Sequence, residues 1–325
     1  MTTTSTQWTV TPNAQWAGLK QITVPLNPPG PNECLVKIHA VSLNYRDVAI
    51  PMGTYPLASR DGVVPCSDAS GEVIAVGPGT RRFEPGDRVC TAFNPAYQSG
   101  RMTRAIRKRG LGNLLDGTLR EHAVFAETAL VAAPRSLDMV QASTLSCAAV
   151  TGTGGVSLFA VQVALAAGAN VIATTSTEEK AQRLREMGVQ HVLNYKADAT
   201  WGETAKRLTP DEEGVDHVIE VGGEATMPQS LAAIRTEGVI SVVGFLGGAK
   251  QERTVSFEAM LPTLAIVRGI NVGPVSQFEA CNAFIDKHGI KPIVDPTVFE
   301  FGEAVDALKY LWDQKNYGKV VIRVN

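Results

Sequence analysis

Gly152-Thr153-Gly154-Gly155-Val156-Ser157 is a glycine-rich turn near the middle of the chain. Glycines at such a turn let backbone N–H groups approach a pyrophosphate, and a helix beginning there adds partial positive charge at its N-terminus. The third glycine of a full G-x-G-x-x-G pattern is replaced by Ser157, so the turn alone is a weak signal and also fits a tight turn with no ligand. The residues beyond the turn strengthen the first reading. Val156, Phe159, Val163 and Ala167 recur at helical spacing, and residues 170–174 (NVIAT) form a short buried strand. Ser176-Thr177-Glu178-Glu179 has capping-box spacing and opens a helix to about Met187, with Gly188 as its C-cap. Residues 191–195, 216–221 and 238–243 are further strands, with a helix over 227–235 before the last of them. This alternation predicts an α/β fold, a Rossmann-type doubly wound parallel sheet covered on both faces.

Outward from that core the pattern changes. Residues 21–25, 33–41 and 70–76 read as β-strands, separated by turns such as Pro29-Gly30, Pro78-Gly79 and Pro85-Gly86-Asp87. Residues 94–117 are polar, basic and without a clear period. Residues 278–288 form an amphipathic helix, and the tail adds a helix (303–312) and a strand, 319–324 (KVVIRV), expected to return to the first domain. The expected division is a β-rich domain over 1–133, a dinucleotide-binding domain over 134–289 and a return to the first over 290–325. The length of 325 residues agrees with two domains.

Composition excludes several classes. With 44% hydrophobic and 19% charged residues and a net charge of −2, the chain is neither disordered, collagen-like nor a strongly basic nucleic-acid binder. The scattered Cys34, Cys66, Cys90, Cys147 and Cys281 form no CxxC pair, which argues against a disulfide framework and for a reducing compartment. The first residues lack a secretory pattern, and apolar runs such as 156–167 are too short to span a bilayer. A soluble, cytoplasmic protein with a small-molecule substrate, and with neither nucleic-acid nor membrane partner, is expected. No nucleophile elbow or P-loop pattern occurs. The basic run Arg101, Arg104, Arg107, Lys108 and Arg109 reads as a solvated face, with an anionic partner as the alternative.

The end of the NVIAT strand chooses the cofactor. A dinucleotide site for NAD expects an acid there to hold the ribose hydroxyls. This chain has Thr174, Thr175, Ser176 and Thr177, with no acid before Glu178. Hydroxyls, with Lys180 and Tyr195 nearby, suit a 2′-phosphate, so NADP is expected rather than NAD. Lys180 reads equally well as a solvated helix residue.

The chain resembles the zinc-free branch of the medium-chain dehydrogenase/reductase superfamily, near the quinone oxidoreductases of the wider alcohol dehydrogenase group. The stretches that carry the resemblance include Leu43-Asn44-Tyr45-Arg46-Asp47, Gly53-Thr54-Tyr55-Pro56, Asp68-Ala69-Ser70-Gly71, Pro85-Gly86-Asp87-Arg88-Val89, Gly152 to Ser157, Val221-Gly222-Gly223, Val243-Gly244-Phe245 and Gly318-Lys319-Val320-Val321-Ile322. They run in family order along nearly the whole chain. The resemblance implies a GroES-like catalytic domain beside the Rossmann domain, and NADPH-dependent hydride transfer to an enone, quinone or carbonyl compound. It places Asn44, Tyr55, Arg46 and Tyr45 near the reacting groups, with Asn44 and Tyr55 as polarising donors. Arg46 could instead orient Asp47, and Tyr45 and Tyr55 could be core aromatics. It puts Gly152, Gly154, Gly155, Val156, Thr175, Ser176, Lys180, Tyr195, Val221, Gly222, Gly223, Gly244, Phe245 and Leu246 on the cofactor, and Lys319 either on the cofactor or, equally, in solvent. It also implies a homodimer through an edge strand in 263–273. The family's zinc-ligand positions fall on Asn44, Ser67 with Asp68, and Cys147, of which only the cysteine is retained, so no metal is expected.

One departure stands out. In the family a helix remainder, a turn and the first Rossmann strand separate the Cys147 segment from the glycine turn. Here Ser146-Cys147-Ala148-Ala149-Val150 runs directly into Thr151-Gly152. Loss of that central strand would leave its two neighbours unpaired. Either residues 145–151 stretch into a substitute strand, or the chain is a splice or gene-model variant that binds no dinucleotide and is not a working enzyme.

Overall fold

The computed structural model describes residues 4–146, 155–244 and 255–324. Its chain forms two units, one from Met1–Cys147 with Val272–Asn325 and one from Ala148–Asn271.

The first unit opens on an antiparallel pair, β1 (Thr4–Val10) and β2 (Leu19–Pro25). The chain then runs through β3 (Glu33–Ser42), α1 (Tyr45–Ala49), β4 (Asp68–Val76), β5 (Arg88–Thr91), α2 (Arg104–Arg107), β6 (His122–Ala126), β7 (Leu130–Ala132) and α3 (Met139–Ala142). In the second unit come α4 (Gly155–Ala166), β8 (Ile172–Thr175), α5 (Glu178–Glu186), β9 (His191–Asn194), α6 (Trp201–Arg207), β10 (Val215–Glu220), α7 (Met227–Ala233), β11 (Ile234–Val242) and β12 (Ile266–Gly269). The first unit closes with α8 (Val275–His288), β13 (Val294–Glu300), α9 (Ala304–Trp312) and β14 (Lys319–Arg323).

Strand β3 organises the first unit. Alternating apolar residues let it bury Val36, Ile38 and Val41 while its backbone pairs antiparallel with β4, β6 and β14. The tail therefore ends inside the first sheet, where Ser42 faces both Asp68 of β4 and Val321 of β14. Leu119, Leu308 and Ile322 complete the same core. Helix α8 belongs to this unit, which differs from the expected boundary at 289. Its polar face is tied to β7 and the following turn, with Asn282 Nδ2 donating to Ala132 O at 2.8 Å and Asp286 accepting from the Ser136 N–H at 3.0 Å. A local periodicity cannot show which domain a helix docks on.

In the second unit the alternation of strand and helix is as read, with shifted ends. Thr177, not Ser176, is the N-cap of α5, accepting from the Lys180 N–H. Helix α7 stops at Ala233 because Ile234 is already extended and starts β11. All pairings are parallel, but they form two sheets, β8 with β9 and β10 with β11 with β12. Among the described residues β8 has a partner on one side only, and so has β10. A doubly wound sheet runs 3-2-1-4-5-6. In that order β9 and β8 are the third and second strands and β10 to β12 the fourth to sixth, so the break falls where the first would lie. Its cost shows on β10. Central parallel strands are normally buried on both faces, yet Ile219 is 46% exposed. Leu145 is buried and Ser146 donates to Thr91 O inside the first unit; the rest of the proposed substitute strand lies outside the described residues.

Candidate active site

The site of the first unit grows from the end of β3. The chain leaves the strand at Leu43, and extended Asn44 caps α1. Asn44 N–H donates to Asp47 Oδ2 and Asp47 N–H donates back to Asn44 O, each at 2.9 Å. Asp47 is fully buried and pairs with Arg46 at 3.5 Å, whose guanidinium lies 4.7 Å from the Phe93 ring centroid. The pairing is compatible with the reading in which Arg46 orients Asp47. Cys66 is buried in the same region, and desolvation first, with the nearby Asp47 charge, holds its thiol well above its ordinary value. Gly117 presses on this loop. A Cβ there would stand 1.9 Å from Cys66 O, so only glycine fits.

Burial raises the Asp47 carboxyl above its ordinary value, while the Arg46 charge and the Asn44 N–H pull it part of the way back. Asp47 therefore holds its proton more tightly folded than unfolded. Its contribution to stability is complete below the ordinary carboxylate range and fades as pH rises through the raised value. Asp47→Asn cannot ionise, so its stability relative to the native chain is expected to improve as pH rises from acid to neutral, measured by urea unfolding. A difference independent of pH would show that folding leaves Asp47 unperturbed.

A second buried pair lies beside the first. Lys319, at the start of β14, donates from Nζ to Leu43 O at 3.0 Å and to Asn44 Oδ1 at 2.8 Å, and stands 3.8 Å from Asp68 Oδ2. Asp68 also accepts from the Ser67 hydroxyl at 2.5 Å. Asn44 Nδ2 is buried and has no hydrogen-bond partner among the described residues. An orphaned buried donor is costly and calls for a ligand or water to repay it. Tyr45 stacks on Trp312 with centroids 6.1 Å apart, and Tyr55 packs half-buried against the same core.

In the second unit Thr175 ends β8 with its hydroxyl buried and without a partner among the described residues. Tyr195 N–H donates to Thr175 O at 3.1 Å, so the tyrosine does come beside the strand end. Ser176 follows, and Lys180 lies on the first turn of α5. The nearest acids are turned to other work, Glu178 pairing with Arg185 and Glu179 with Arg183. Gly155 and Val156 begin α4. Sequence reasoning missed Glu220, buried at the end of β10. Its carboxylate accepts the Gly222 and Gly223 N–H groups at 2.8 and 2.9 Å and the hydroxyls of Thr226 and Ser230. The two glycine amides are thus already engaged beside Val221. An acid closing an apolar run just before two glycines was the available signal. Gly244 is buried after β11, while Gly152, Gly154, Cys147, Phe245 and Leu246 lie outside the described residues.

A two-unit α/β chain, with a mainly antiparallel sheet carrying one polar site and parallel strands carrying another, fits the nucleotide-dependent oxidoreductases. The profile of the alcohol dehydrogenase GroES-like domain matches residues 30–135 and that of the zinc-binding dehydrogenases residues 155–309. A "zinc-type alcohol dehydrogenase-like protein" of Schizosaccharomyces pombe is 41% identical, covering 91% of this chain and 92% of its own. A Burkholderia 2-haloacrylate reductase is 27% identical over 92% of this chain and 93% of its own. Among solved structures, a Sinorhizobium meliloti chain described as an alcohol dehydrogenase superposes with a TM-score of 0.89 at 36% identity, covering 99% of both chains. The chain belongs to the medium-chain dehydrogenase/reductase superfamily, and it is an oxidoreductase of that superfamily. The Schizosaccharomyces pombe and Burkholderia alignments run to 319 and 322 positions while taking up only 91% and 92% of 325 residues, so both relatives carry residues inside the matched span that this chain lacks.

Proposed function

We propose that the chain reduces an enone, quinone or carbonyl compound with NADPH and without a metal. The observation that carries this is the unpaired, buried Nδ2 of Asn44. Reduction of a carbonyl or of its conjugated double bond builds negative charge on oxygen, and a preorganised donor is the group that stabilises it. Tyr55 is the second candidate donor, and Arg46 and Tyr45 hold the frame. The 27% identical 2-haloacrylate reductase supports an activated double bond as the substrate class.

Zinc does not fit the donors at its family positions. Asn44 Oδ1 is taken by an ammonium, Ser67 spends its hydroxyl on Asp68, and Asp68 faces the same ammonium, which repels a dication. A nicotinamide dinucleotide, when bound, supplies the hydride. The orphaned Thr175 hydroxyl fits such a group, and Ser176, Lys180 and Tyr195 would hold its 2′-phosphate. The pairing of Glu178 with Arg185 and of Glu179 with Arg183 supports the 2′-phosphate reading over a bare ribose. Val221, Gly222, Gly223 and Gly244 are proposed for the nicotinamide side. Exposed Leu261, Leu264 and Ile266 beside β12, the outer strand of its sheet among the described residues, support a homodimer. Among the described residues no helix is long and apolar enough to cross a membrane, and we place the protein in the cytoplasm.

A second reading has its own observation. The break between β8 and β10 favours a relative that has lost its cofactor. Thermal unfolding with added NADPH or NADH separates the two. Ligand at a hundred times its dissociation constant stabilises by about 2.7 kcal/mol. The first reading expects that shift at lower concentrations of NADPH than of NADH, and no shift with either establishes the second.

A further inference from the structure

We propose that Lys319 is a positioning residue that sets which end of the Asn44 amide meets the substrate. The proposal rests on the reading of Asn44 as the polarising donor. An amide side chain has an accepting and a donating end of nearly equal shape, and an unrestrained one can present either. Lys319 removes the choice. An ammonium has three donors and no acceptor, so only Oδ1 can face Nζ across 2.8 Å. The donating end then points away, and that end is the one left buried without a partner. Flipping the amide would exchange a charge-assisted hydrogen bond for two donors facing each other.

The ammonium is itself held by the sheet. Leu43 and Asn44 leave β3, Asp68 opens β4 and Lys319 opens β14, and β3 lies between the other two in register. Leu43 O, Asn44 Oδ1 and Asp68 Oδ2 thus surround Nζ from adjacent strands. Asp68 faces its charge, while Asp47 pairs with Arg46. Sites built on paired strands hold their geometry better than sites on loops. Lys319 makes these contacts entirely within the first unit.

The test uses Lys319→Met, Lys319→Arg and Asn44→Ala in the full chain, with NADPH and a small enone. Lys319→Met is expected to lower kcat about tenfold or more while KM stays within about twofold, because misorientation removes transition-state and not ground-state contacts. Lys319→Arg, which still donates to Oδ1, recovers most of the loss. The double variant Lys319→Met with Asn44→Ala is no slower than Asn44→Ala alone. A second readout needs no turnover. With ¹⁵N-asparagine labelling, the side-chain NH2 signals of Asn44, identified by their loss in Asn44→Ala, move in Lys319→Met and stay near their native place in Lys319→Arg. If Lys319→Met does not fold, Lys319→Gln takes the same readings. Native kcat in Lys319→Met with a slow Asn44→Ala overturns the positioning and leaves the reading of Asn44 standing, as do additive losses. Native kcat in Asn44→Ala overturns that reading and the positioning with it. Unmoved Asn44 signals in Lys319→Met overturn the positioning whatever the kinetics.

Discussion

Inserting a first parallel strand and its turn between Ser146 and Gly155 is expected to raise the thermal midpoint by about 10 °C and to tighten NADPH binding at least tenfold. Strand β8 has four residues and β10 six, and among the described residues each uses one edge only. A parallel strand laid between them would satisfy donors and acceptors on both sides, at about 1 kcal/mol net for each ladder hydrogen bond. It would also cover Ile219 and bury β8 and β10 as a central strand's neighbours should be buried. Several kcal/mol gained in this way corresponds to about 10 °C, since each kcal/mol moves the midpoint of a domain of about 150 residues by roughly 2–4 °C.

Binding depends on the same geometry. The first strand of a doubly wound sheet aims the glycine turn at the pyrophosphate, and the helix dipole acts only if its N-terminus points there. The measurements are differential scanning fluorimetry and NADPH fluorescence titration on the native and lengthened chains. An unchanged midpoint with unchanged affinity would show that both edges are already satisfied and that the split sheet has no energetic consequence. A higher midpoint without tighter binding would separate the sheet from the site, leaving the strand as structure alone. The native chain carries a further consequence of open edges. Unpaired strands invite pairing with another chain, so lengthening should also reduce aggregation on heating.

How much of this was legible in the sequence depends on the range of the interactions concerned. Buried parallel strands are short apolar runs, so NVIAT and DHVIEV announced β8 and β10 within a residue or two. The abrupt join at Val150 and Thr151 pointed to the place between β8 and β10, each of which pairs on one side only among the described residues, because strand order is a rule of the whole sheet. Lys319 was not legible in the same way. A lysine ahead of VVIRV looks like the solvated start of an edge strand, and only the pairing of β14 with β3, joining residues 275 positions apart in sequence, buries it against Asn44. The capping of α1 was local enough to read, since Asn44 and Asp47 have the right spacing, but the orphaned Nδ2 depends on Lys319 and so was hidden with it. Glu220 sits between these cases. Its acid was visible, yet its four donors come from a turn and a helix whose approach the sequence does not specify.

Asn44→Ala is the substitution expected to do most to the chemistry while doing least to the fold. Its side chain donates to nothing among the described residues, and its one acceptor contact is with Lys319, which keeps Leu43 O and Asp68 as neighbours after the change. The cap bonds of α1 that pass through Asn44 N–H and Asn44 O use backbone atoms and survive. Stability should therefore fall by about 1 kcal/mol, the scale of a lost cap side chain or a single hydrogen bond. The effect on turnover should be far larger. Removing one donor from a preorganised oxyanion site costs about 10²–10³ in kcat, because that hydrogen bond strengthens as charge builds on the substrate oxygen. KM for the enone and affinity for NADPH are expected to change little, since neither depends on a bond realised mainly in the transition state. Steady-state kinetics with a quinone and an enone, beside thermal unfolding of both proteins, provide the check. A loss of kcat shared by both substrates places Asn44 on the common oxygen, whereas a loss confined to one places it on that substrate's remaining structure. A fall below about threefold on both would pass the polarising role to Tyr55, whose hydroxyl lies on the segment after α1 and is the other candidate donor of the same unit.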